Sequence, residues 1–168
     1  MTNRGPEEGR KNEPDSVRQL VTFKIAQEEF GVDILKVREI IRLPQITLVP
    51  NSPDFFKGII NLRGKIIPVV DLITQLNMPV TAPVDSKKSK ILIIEIDNRI
   101  SGFIVDSVTA VLKIPADSVE PPPEIVVARL GSEYVEGVSE HGGRFISILN
   151  FNAVLQTAHK IELARQSN

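Results

Sequence analysis

Side chains suited to nucleophilic or metal chemistry are scarce in this sequence. It has no cysteine and two histidines, His141 and His159, neither accompanied by a second ligand at the spacing of a motif such as HExxH. Gly142 and Gly143 lack the strand-to-helix context of a GxxxxGK or GxGxxG loop, so a hairpin turn is favoured over a phosphate cradle. No spacing indicates two acids working as general acid and base. We expect a protein that is not an enzyme and needs neither metal nor cofactor.

One carboxylate and one guanidinium are more informative. Glu39 lies in VREIIRL and Arg63 in NLRG. Strand alternation predicts that Val37, Glu39 and Ile41 share one face. A carboxylate beside aliphatic residues favours a cationic partner, and Arg63 offers bidentate geometry. The sequence leaves open whether such a pair is partly buried, and important for stability, or exposed and of little energetic weight.

The segment NLRGKIIPVVDL predicts how Arg63 is positioned. Gly64 suits the positive φ of a tight hairpin turn. Pro68 has no backbone donor, which indicates a strand edge or a bulge. Asp71 can cap a short helix over residues 72–76, and Asn150 is the corresponding cap candidate later in the chain.

Composition limits the function classes. The chain has 168 residues, 42% hydrophobic and 24% charged, with a net charge of −1. Mixed charges, one tyrosine and no tryptophan give little basis for nucleic-acid binding. The sequence contains no apolar run of membrane-spanning length, and its polar beginning does not resemble a secretory signal. These features predict a cytoplasmic globular protein.

The chain divides into a tail and two similar parts. Residues 1–17 are polar and predict a disordered tail. Short Val/Ile-rich segments separated by turn residues then predict small antiparallel β-barrels. A Pro- and Ser-containing linker, residues 77–90, separates the parts. We expect one barrel over 18–86, another over 87–157, and a helix end and tail over 158–168.

The two parts are related by an internal repeat. Residues 21–44 align without a gap on 92–115, and residues 55–76 align on 134–155. The shared positions are turn glycines and apolar runs rather than many identities. The copies differ at the charged positions, because Glu39 aligns with Ala110 and Arg63 with Gly142. The first copy therefore carries a charged feature that the second lacks.

The last segment has helical periodicity. Asn152 is a cap candidate, and an apolar stripe follows it: Val154, Leu155, Ala158, Ile161 and Leu163. A helix closing over the barrels is favoured over a helix that docks on a partner.

The sequence resembles the CheW family of chemotaxis adaptors. The resemblance rests on FFKGIINLRGKIIPVVDL, on VREIIRLPQITLVPNSPDF before it, and on GFIVDSVTAVLKIP and EPPP after it, and it covers residues 18–157. It implies an all-β fold of two five-stranded SH3-like β-barrels side by side. It further implies a non-catalytic adaptor that couples the cytoplasmic helical tip of methyl-accepting chemoreceptors to the regulatory domain of the histidine kinase CheA in membrane-bound arrays.

The resemblance also implies positions for protein interaction, with Glu39 and Arg63 associated with receptor coupling. The other motif positions are Val37, Gly58, Asn61, Gly102, Val105, Asp106 and Val108. One departure is Leu149-Asn150-Phe151, where relatives often have leucine-aspartate-leucine.

Two small barrels side by side are expected to leave an apolar cleft that receives a receptor helix. Two alternatives remain: an adaptor of a different chemosensory pathway, such as twitching motility or development, and a small barrel that binds single-stranded nucleic acid.

Overall fold

Ten strands make up most of the computed structural model, which describes residues 17–79 and 85–156. The strands are β1 (Val17–Ile25), β2 (Glu28–Asp33), β3 (Val37–Arg42), β4 (Phe56–Leu62), β5 (Lys65–Asp71), β6 (Lys90–Ile96), β7 (Arg99–Val105), β8 (Ser107–Pro115), β9 (Val135–His141) and β10 (Arg144–Leu149). The helices are α1 (Leu72–Gln75), α2 (Glu124–Leu130) and α3 (residues 151–156). Two 3₁₀ helices, Ile34–Lys36 and Ala116–Ser118, connect strands.

The strands form two five-stranded sheets. Sheet A has the order β8-β1-β2-β10-β9, and sheet B has the order β3-β6-β7-β5-β4. Neighbouring strands are antiparallel except for β10 with β2 and β5 with β7, which are parallel. The predicted all-β fold with two five-stranded units is confirmed.

The internal repeat is confirmed in the strand registers. Thr22 pairs with Gly31 in the first hairpin, and the aligned residues Ile93 and Gly102 pair in the β6–β7 hairpin. Both copies also have a bulge at the same place, one between Val37 and Glu39 and one in the β1–β8 ladder. The two copies therefore share their irregularities as well as their strands.

Each sheet combines strands from both copies. Sheet A takes β1 and β2 from the first copy and β8, β9 and β10 from the second. Sheet B takes β3, β4 and β5 from the first copy and β6 and β7 from the second. The chain crosses between sheets at two short connections, the 3₁₀ helix Ile34–Lys36 and the single residue Asp106. The sheets thus do not follow the expected barrel ranges 18–86 and 87–157, because a repeat alignment shows which segments are alike and not which segments pair.

The core has three parts. Ile67, Val69 and Ile91 belong to a cluster within sheet B, and Leu20 and Ile148 belong to a smaller one within sheet A. The largest cluster combines residues of both sheets with residues of the helices. Its aromatic members are all fully buried: Phe23, Phe30, Phe103 and Phe151.

The prediction of an open cleft between the barrels is therefore wrong, because the interior of the space between them is filled. Phe103 and Phe151 pack edge to face with ring centroids 4.9 Å apart, and Phe23 packs on Phe30 at 6.1 Å. The chain fills this space with its own side chains, because exposing so many aromatic and aliphatic groups to water would oppose folding. A partner can reach only the rim of this shared core.

Four two-residue turns join the hairpins, and both residues of each turn have positive φ in the described part of the chain. They are Ala26-Gln27, Arg63-Gly64, Asp97-Asn98 and Gly142-Gly143. This backbone matches the twist of the flanking strands. The turns predicted at Gly64 and at Gly142-Gly143 are confirmed.

The helix caps agree with the sequence at two positions of three. The side chain of Asp71 accepts from the backbone N–H of Ile73 at 3.3 Å, and that of Asn150 accepts from Ala153 at 3.3 Å. Asn150, not Asn152, therefore caps α3. Val154 and Leu155 are buried as expected for a helix that closes over the core. The other stripe residues, Ala158, Ile161 and Leu163, lie outside the described residues, as do the tails 1–16 and 157–168.

Pro68 lies in β5, which is an interior strand of sheet B and not an edge strand. Pairing of β5 with β7 begins only at Val69. On the other side Ile59, opposite Pro68, exchanges its backbone hydrogen bonds with Thr47 at 2.9 Å. The proline thus lies where neither neighbouring strand requires its missing donor.

Candidate protein-interaction site

Glu39 and Arg63 form the predicted ion pair. Glu39 lies on β3, and Arg63 lies in the turn after β4; these two strands are the opposite ends of sheet B. Arg63 Nη1 donates to Glu39 Oε2 at 3.2 Å, and Nη2 donates to Oε1, so the contact is bidentate. The Arg63 side chain is 68% exposed and that of Glu39 is 27% exposed. The pair is therefore accessible to a partner, and the exposed version of the prediction is correct.

The turn geometry positions Arg63. Its φ of 52° and that of Gly64, 86°, form the left-handed backbone of the turn. Asn61 Oδ1 accepts a hydrogen bond from the Gly64 backbone N–H at 2.9 Å. This side-chain contact closes the turn and fixes where the guanidinium leaves the backbone. Asn61 thus acts on the site through Arg63.

A second ion pair lies beside the first. Arg38 Nη1 donates to Glu95 Oε1 at 2.6 Å, and both side chains are partly exposed. Arg38 is the extra residue of the β3 bulge, since Val37 pairs with Ile94 and Glu39 pairs with Ile93. The two ion pairs, Arg38–Glu95 and Glu39–Arg63, therefore place two cations and two carboxylates at the β3 end of sheet B.

The bulge also corrects the predicted alternation. Residues paired across strands point to the same side of a sheet. Val37 therefore shares a side with Ile94 of the shared core, whereas Glu39 shares a side with Ile93 of the sheet B cluster. Val37 and Glu39 do not face the same way, because one inserted residue reverses the period-2 pattern.

The charges at this site stabilise each other's ionised forms. The hydrogen bond from Arg63 is the largest cause and lowers the pKa of Glu39 below its ordinary value; desolvation, the next largest, opposes it, and the positive charges of Arg63 and Arg38 lower the pKa further. The same hydrogen bond raises the pKa of Arg63. Both groups are charged across the neutral pH range.

Comparison with known proteins decides the family. The family model described as CheW-like domain matches residues 19–159. The chain belongs to the CheW family. The chemotaxis protein CheW of Klebsiella aerogenes is 33% identical over 140 residues, which are 83% of this chain and 82% of that protein. Protein FrzA of Myxococcus xanthus is 27% identical over 150 residues, which are 88% of this chain and 91% of that protein.

A solved CheW structure has the same fold. The crystal structure of scaffolding protein TtCheW from Thermoanaerobacter tengcongensis superposes with a TM-score of 0.72 at 40% sequence identity, over 79% of this chain and 84% of that chain. The resemblance predicted from the sequence is confirmed, and the two-sheet architecture is that of a CheW-family protein.

Most of the other CheW-family motif residues lie in surroundings different from those of Glu39 and Arg63. Val37 and its repeat counterpart Val108 are both half-buried and pack against the shared core from its rim. Val105 is fully buried, so no partner touches it in this conformation.

The two motif glycines are packing positions. A Cβ at Gly58, whose φ is 143°, would lie 2.1 Å from the backbone oxygen of Thr47. A Cβ at Gly102 would lie 2.8 Å from Ile91 Cγ2. Both glycines thus allow neighbouring chain segments to approach closely.

Asp106 holds the fold together at a crossing between sheets. Its Oδ2 accepts from the backbone N–H of Ala26 at 2.9 Å, and its own N–H donates to the Lys24 carbonyl at 2.9 Å. These bonds attach the first hairpin turn to the corner between β7 and β8. Of the predicted interaction residues, the structure thus brings together Glu39, Asn61 and Arg63 on one surface, while Val37 lies on the same strand as Glu39 and faces the other side of the sheet.

The equivalent place in the second copy has a different polar network. Ala110 and Gly142 provide no charge, but Arg144 Nη1 lies 3.5 Å from Glu29 Oε2, which also accepts from the Thr109 hydroxyl at 3.0 Å. The Glu29 side chain is only 7% exposed. Sequence analysis missed this network, because Glu29 aligns with Ile100 and the repeat gives no sign of it.

The sequence patterns also did not predict how exposed several apolar side chains are. Leu35, on the 3₁₀ helix between the sheets, is 90% exposed, and Ile125 on α2 is 70% exposed. Leu35 lies in the segment DILKV, whose apolar residues suggest a strand. Apolar side chains exposed singly are common on protein surfaces, so neither residue by itself marks an interface.

Other site classes find no support in the described residues. None of the helices there has the length and apolar character needed to cross a membrane. The same part of the chain contains no group of three or more His, Asp or Glu side chains able to hold a metal ion.

Proposed function

We propose that this chain is a non-catalytic adaptor that couples transmembrane chemoreceptors to the histidine kinase CheA in bacterial chemotaxis, as part of a ternary receptor, adaptor and kinase array. The observation that carries the proposal is the exposed bidentate pair of Glu39 and Arg63 in a CheW-family fold. The proposed location is the cytoplasm, at membrane-bound receptor arrays.

The proposed receptor contact is the rim of the shared core next to this pair. Val37 offers apolar surface on the core-facing side of β3, and Glu39 with Arg63 offers charges of both signs on the other side of the same strand, so a helix lying across the β3 edge meets both. A receptor tip is helical, and a helix binds through apolar anchors spaced three and four residues apart with polar contacts beside them. A rim contact replaces the open cleft expected from the sequence, because the interior is already filled.

The differences between the two copies support a single receptor contact per chain, made by the first copy. Val108 occupies the matching rim position in the second copy, but Ala110 and Gly142 stand where Glu39 and Arg63 stand in the first. An apolar contact alone gives poor orientation, whereas a charged pair fixes the partner's register. The second half of the molecule is then available to the regulatory domain of CheA.

Weak contacts are sufficient for such an adaptor. In an array each adaptor is held by two partners, so effective concentration multiplies modest affinities. The pair at Glu39 and Arg63 therefore has a larger effect on assembly than on the stability of the isolated chain.

Reconstitution tests the proposal. Purified chain, cognate CheA and receptor-containing membranes are mixed, and kinase autophosphorylation and co-sedimentation are measured with and without the chain. We expect Arg63→His and Glu39→Lys to reduce co-sedimentation while the melting temperature changes little. The exchanged double variant Glu39→Arg/Arg63→Glu separates the charge pair from the individual charges, and Glu120→Gln, at an exposed site elsewhere, serves as the control. Full co-sedimentation of both folded single variants would contradict the proposed site.

A second candidate is an adaptor of a different chemosensory pathway, such as twitching motility or developmental signalling. The match to Protein FrzA over 88% of the chain favours keeping it. The same reconstitution with the kinase and receptor encoded next to this chain's gene distinguishes the two.

A further inference from the structure

Four cations gather at one end of sheet B. Arg42 at the end of β3 pairs directly with Lys90 at the start of β6, and Lys87 and Lys88 lie just before Lys90 in the chain. Arg42, Lys87 and Lys88 are exposed, and Lys90 is half-buried. We refer to Arg42, Lys87, Lys88 and Lys90 as the cationic cluster. It is distinct from the Glu39–Arg63 pair, which faces the other side of sheet B.

The side chains of the cationic cluster form no ion pairs with the carboxylates that the structure describes. Throughout residues 17–79 and 85–156, no ion pair joins any of its four members to an acid. Lys90 Nζ is 3.4 Å from the backbone carbonyl of Lys88, and Asp85 accepts from the backbone N–H of Lys87 at 3.0 Å. Like charges directly opposite each other on neighbouring strands repel.

The corresponding place in sheet A does not have this repulsion. There Lys113, the counterpart of Arg42, pairs with the uncharged Gln19, the counterpart of Lys90. The same strand end therefore carries two opposed cations in one copy and one cation in the other. The shared fold does not require the additional charges.

An apolar side chain adjoins the cationic cluster on the same side of the sheet. Ile40 precedes Arg42 by two positions and pairs with Leu92, as Arg42 pairs with Lys90, so the two point to one side. Ile40 is 38% exposed, and so is Leu43, which follows Arg42 directly in the chain after β3 ends. Cations bordering exposed aliphatic groups complement a helix with one acidic and one apolar side.

We propose that the cationic cluster, with Ile40 and Leu43, is a docking surface for an acidic amphipathic helix of a partner protein. The partner's carboxylates lie between Arg42 and Lys90 and relieve their repulsion, while its apolar side covers the two aliphatic residues. In the proposed adaptor this surface is a second contact, separate from Glu39 and Arg63. Its existence as a helix-binding surface rests on the charges and exposure described above and not on that function.

The test uses a synthetic helical peptide with leucine along one side and glutamate along the other, and a matched peptide with lysine in place of glutamate. Fluorescence anisotropy measures the affinity of the full chain for each peptide over a range of salt concentrations. We expect binding to the glutamate peptide that weakens with salt, and much weaker binding to the lysine peptide.

Variants connect the affinity to the cationic cluster. Arg42→Gln/Lys90→Gln should weaken binding of the glutamate peptide about fivefold, the size that two exposed ion pairs together give. Its melting temperature should not fall, since the repulsion is removed. Lys113→Gln, at the matching place in sheet A, should leave the affinity unchanged.

Other outcomes overturn the inference. Equal affinity for the two peptides, or an unchanged affinity in the Arg42→Gln/Lys90→Gln variant, would show that the cationic cluster is not the binding surface. If the peptide fails to bind and single-stranded RNA binds in a salt-dependent gel shift that the variant abolishes, the cationic cluster recognises nucleic acid instead. Because the peptide assay contains neither kinase nor receptor, its result is independent of the reconstitution that tests the adaptor function.

Discussion

Glu39 and Arg63 connect the two end strands of sheet B through their side chains, at a place where no strand ladder joins β3 to β4. The connection is bidentate and lies at the surface. A sheet whose ends are joined by an exposed ion pair can exchange that pair for contacts with a partner at little cost in stability.

Protonation of Glu39 should report on this pair. Because the folded-state pKa of Glu39 is lowered, the stabilisation by the pair is present above the ordinary carboxyl value of 4.5 and is lost as the pH falls through the lowered pKa. A carboxyl-carbon NMR titration should show this lowered pKa, and Arg63→Gln should return it toward the ordinary value. The difference in melting temperature between the natural chain and Glu39→Gln should shrink on acidification below that range. A titration that Arg63→Gln leaves unchanged would mean that the pair does not form in solution.

Cutting the chain between its two copies should not separate them. The first hairpin belongs to the same sheet as β8, β9 and β10, so each fragment supplies strands that the other needs. With a protease site replacing residues 80–84, the cleaved protein should elute from a size-exclusion column as one species of unchanged size and separate only in denaturant. The uncleaved variant is the control. Two species in native buffer would show that each copy forms a sheet of its own.

Removal of the Asp106 side chain should reduce stability rather than binding. Asp106→Ala leaves the Ala26 backbone N–H without its acceptor, a loss of about 1–3 kcal/mol for a bond to a charged group. For a domain of this size the melting temperature falls about 2–4 °C for each kcal/mol. Asp117→Ala, at an exposed site, is the control. If the folded variant binds its partners more weakly at unchanged stability, Asp106 has the interaction role implied by the family resemblance.

The first hairpin turn offers a stabilising substitution. Gln27 is exposed and has a φ of 71°, a conformation that costs a residue with a side chain more than it costs glycine. Glycine also has a larger conformational entropy in the unfolded chain, which offsets part of this gain. Gln27→Gly should therefore stabilise the fold by about 0.5–1 kcal/mol. Chemical denaturation measures the change. Gln45→Gly, at an exposed loop position without positive φ, should give no gain, and an equal gain at both sites would exclude the turn as the cause.

The sequence predicted those features that depend on local chemistry. Gly64, Asp71 and Asn150 perform the turn and cap roles that their side chains suit, and the alignment of the two copies matches the observed strand registers. The ion pair of Glu39 and Arg63 was predictable because a carboxylate on a strand face with aliphatic residues favours a cationic partner and Arg63 offers bidentate geometry.

Long-range pairing and single-residue insertions were not predictable. Nothing in the order of residues shows that the chain changes sheets at Asp106, since the strands on both sides have ordinary patterns. The bulge at Arg38 leaves burial alternating along β3, so Val37 was assigned to the wrong side. Val105 and Gly102 came from the family resemblance, and their burial shows that a motif position can reflect packing instead of contact with a partner.

The exchange of strands between the copies has a consequence for how such a molecule arises by duplication. A half-length polypeptide of this design could complete neither sheet by itself and would require a twin to supply the missing hairpin. Joining two such twins in one gene makes their association permanent and independent of concentration. It also allows one half to change independently of the other. Glu39 and Arg63 in the first copy align with the small residues Ala110 and Gly142 in the second, as such independent change would produce.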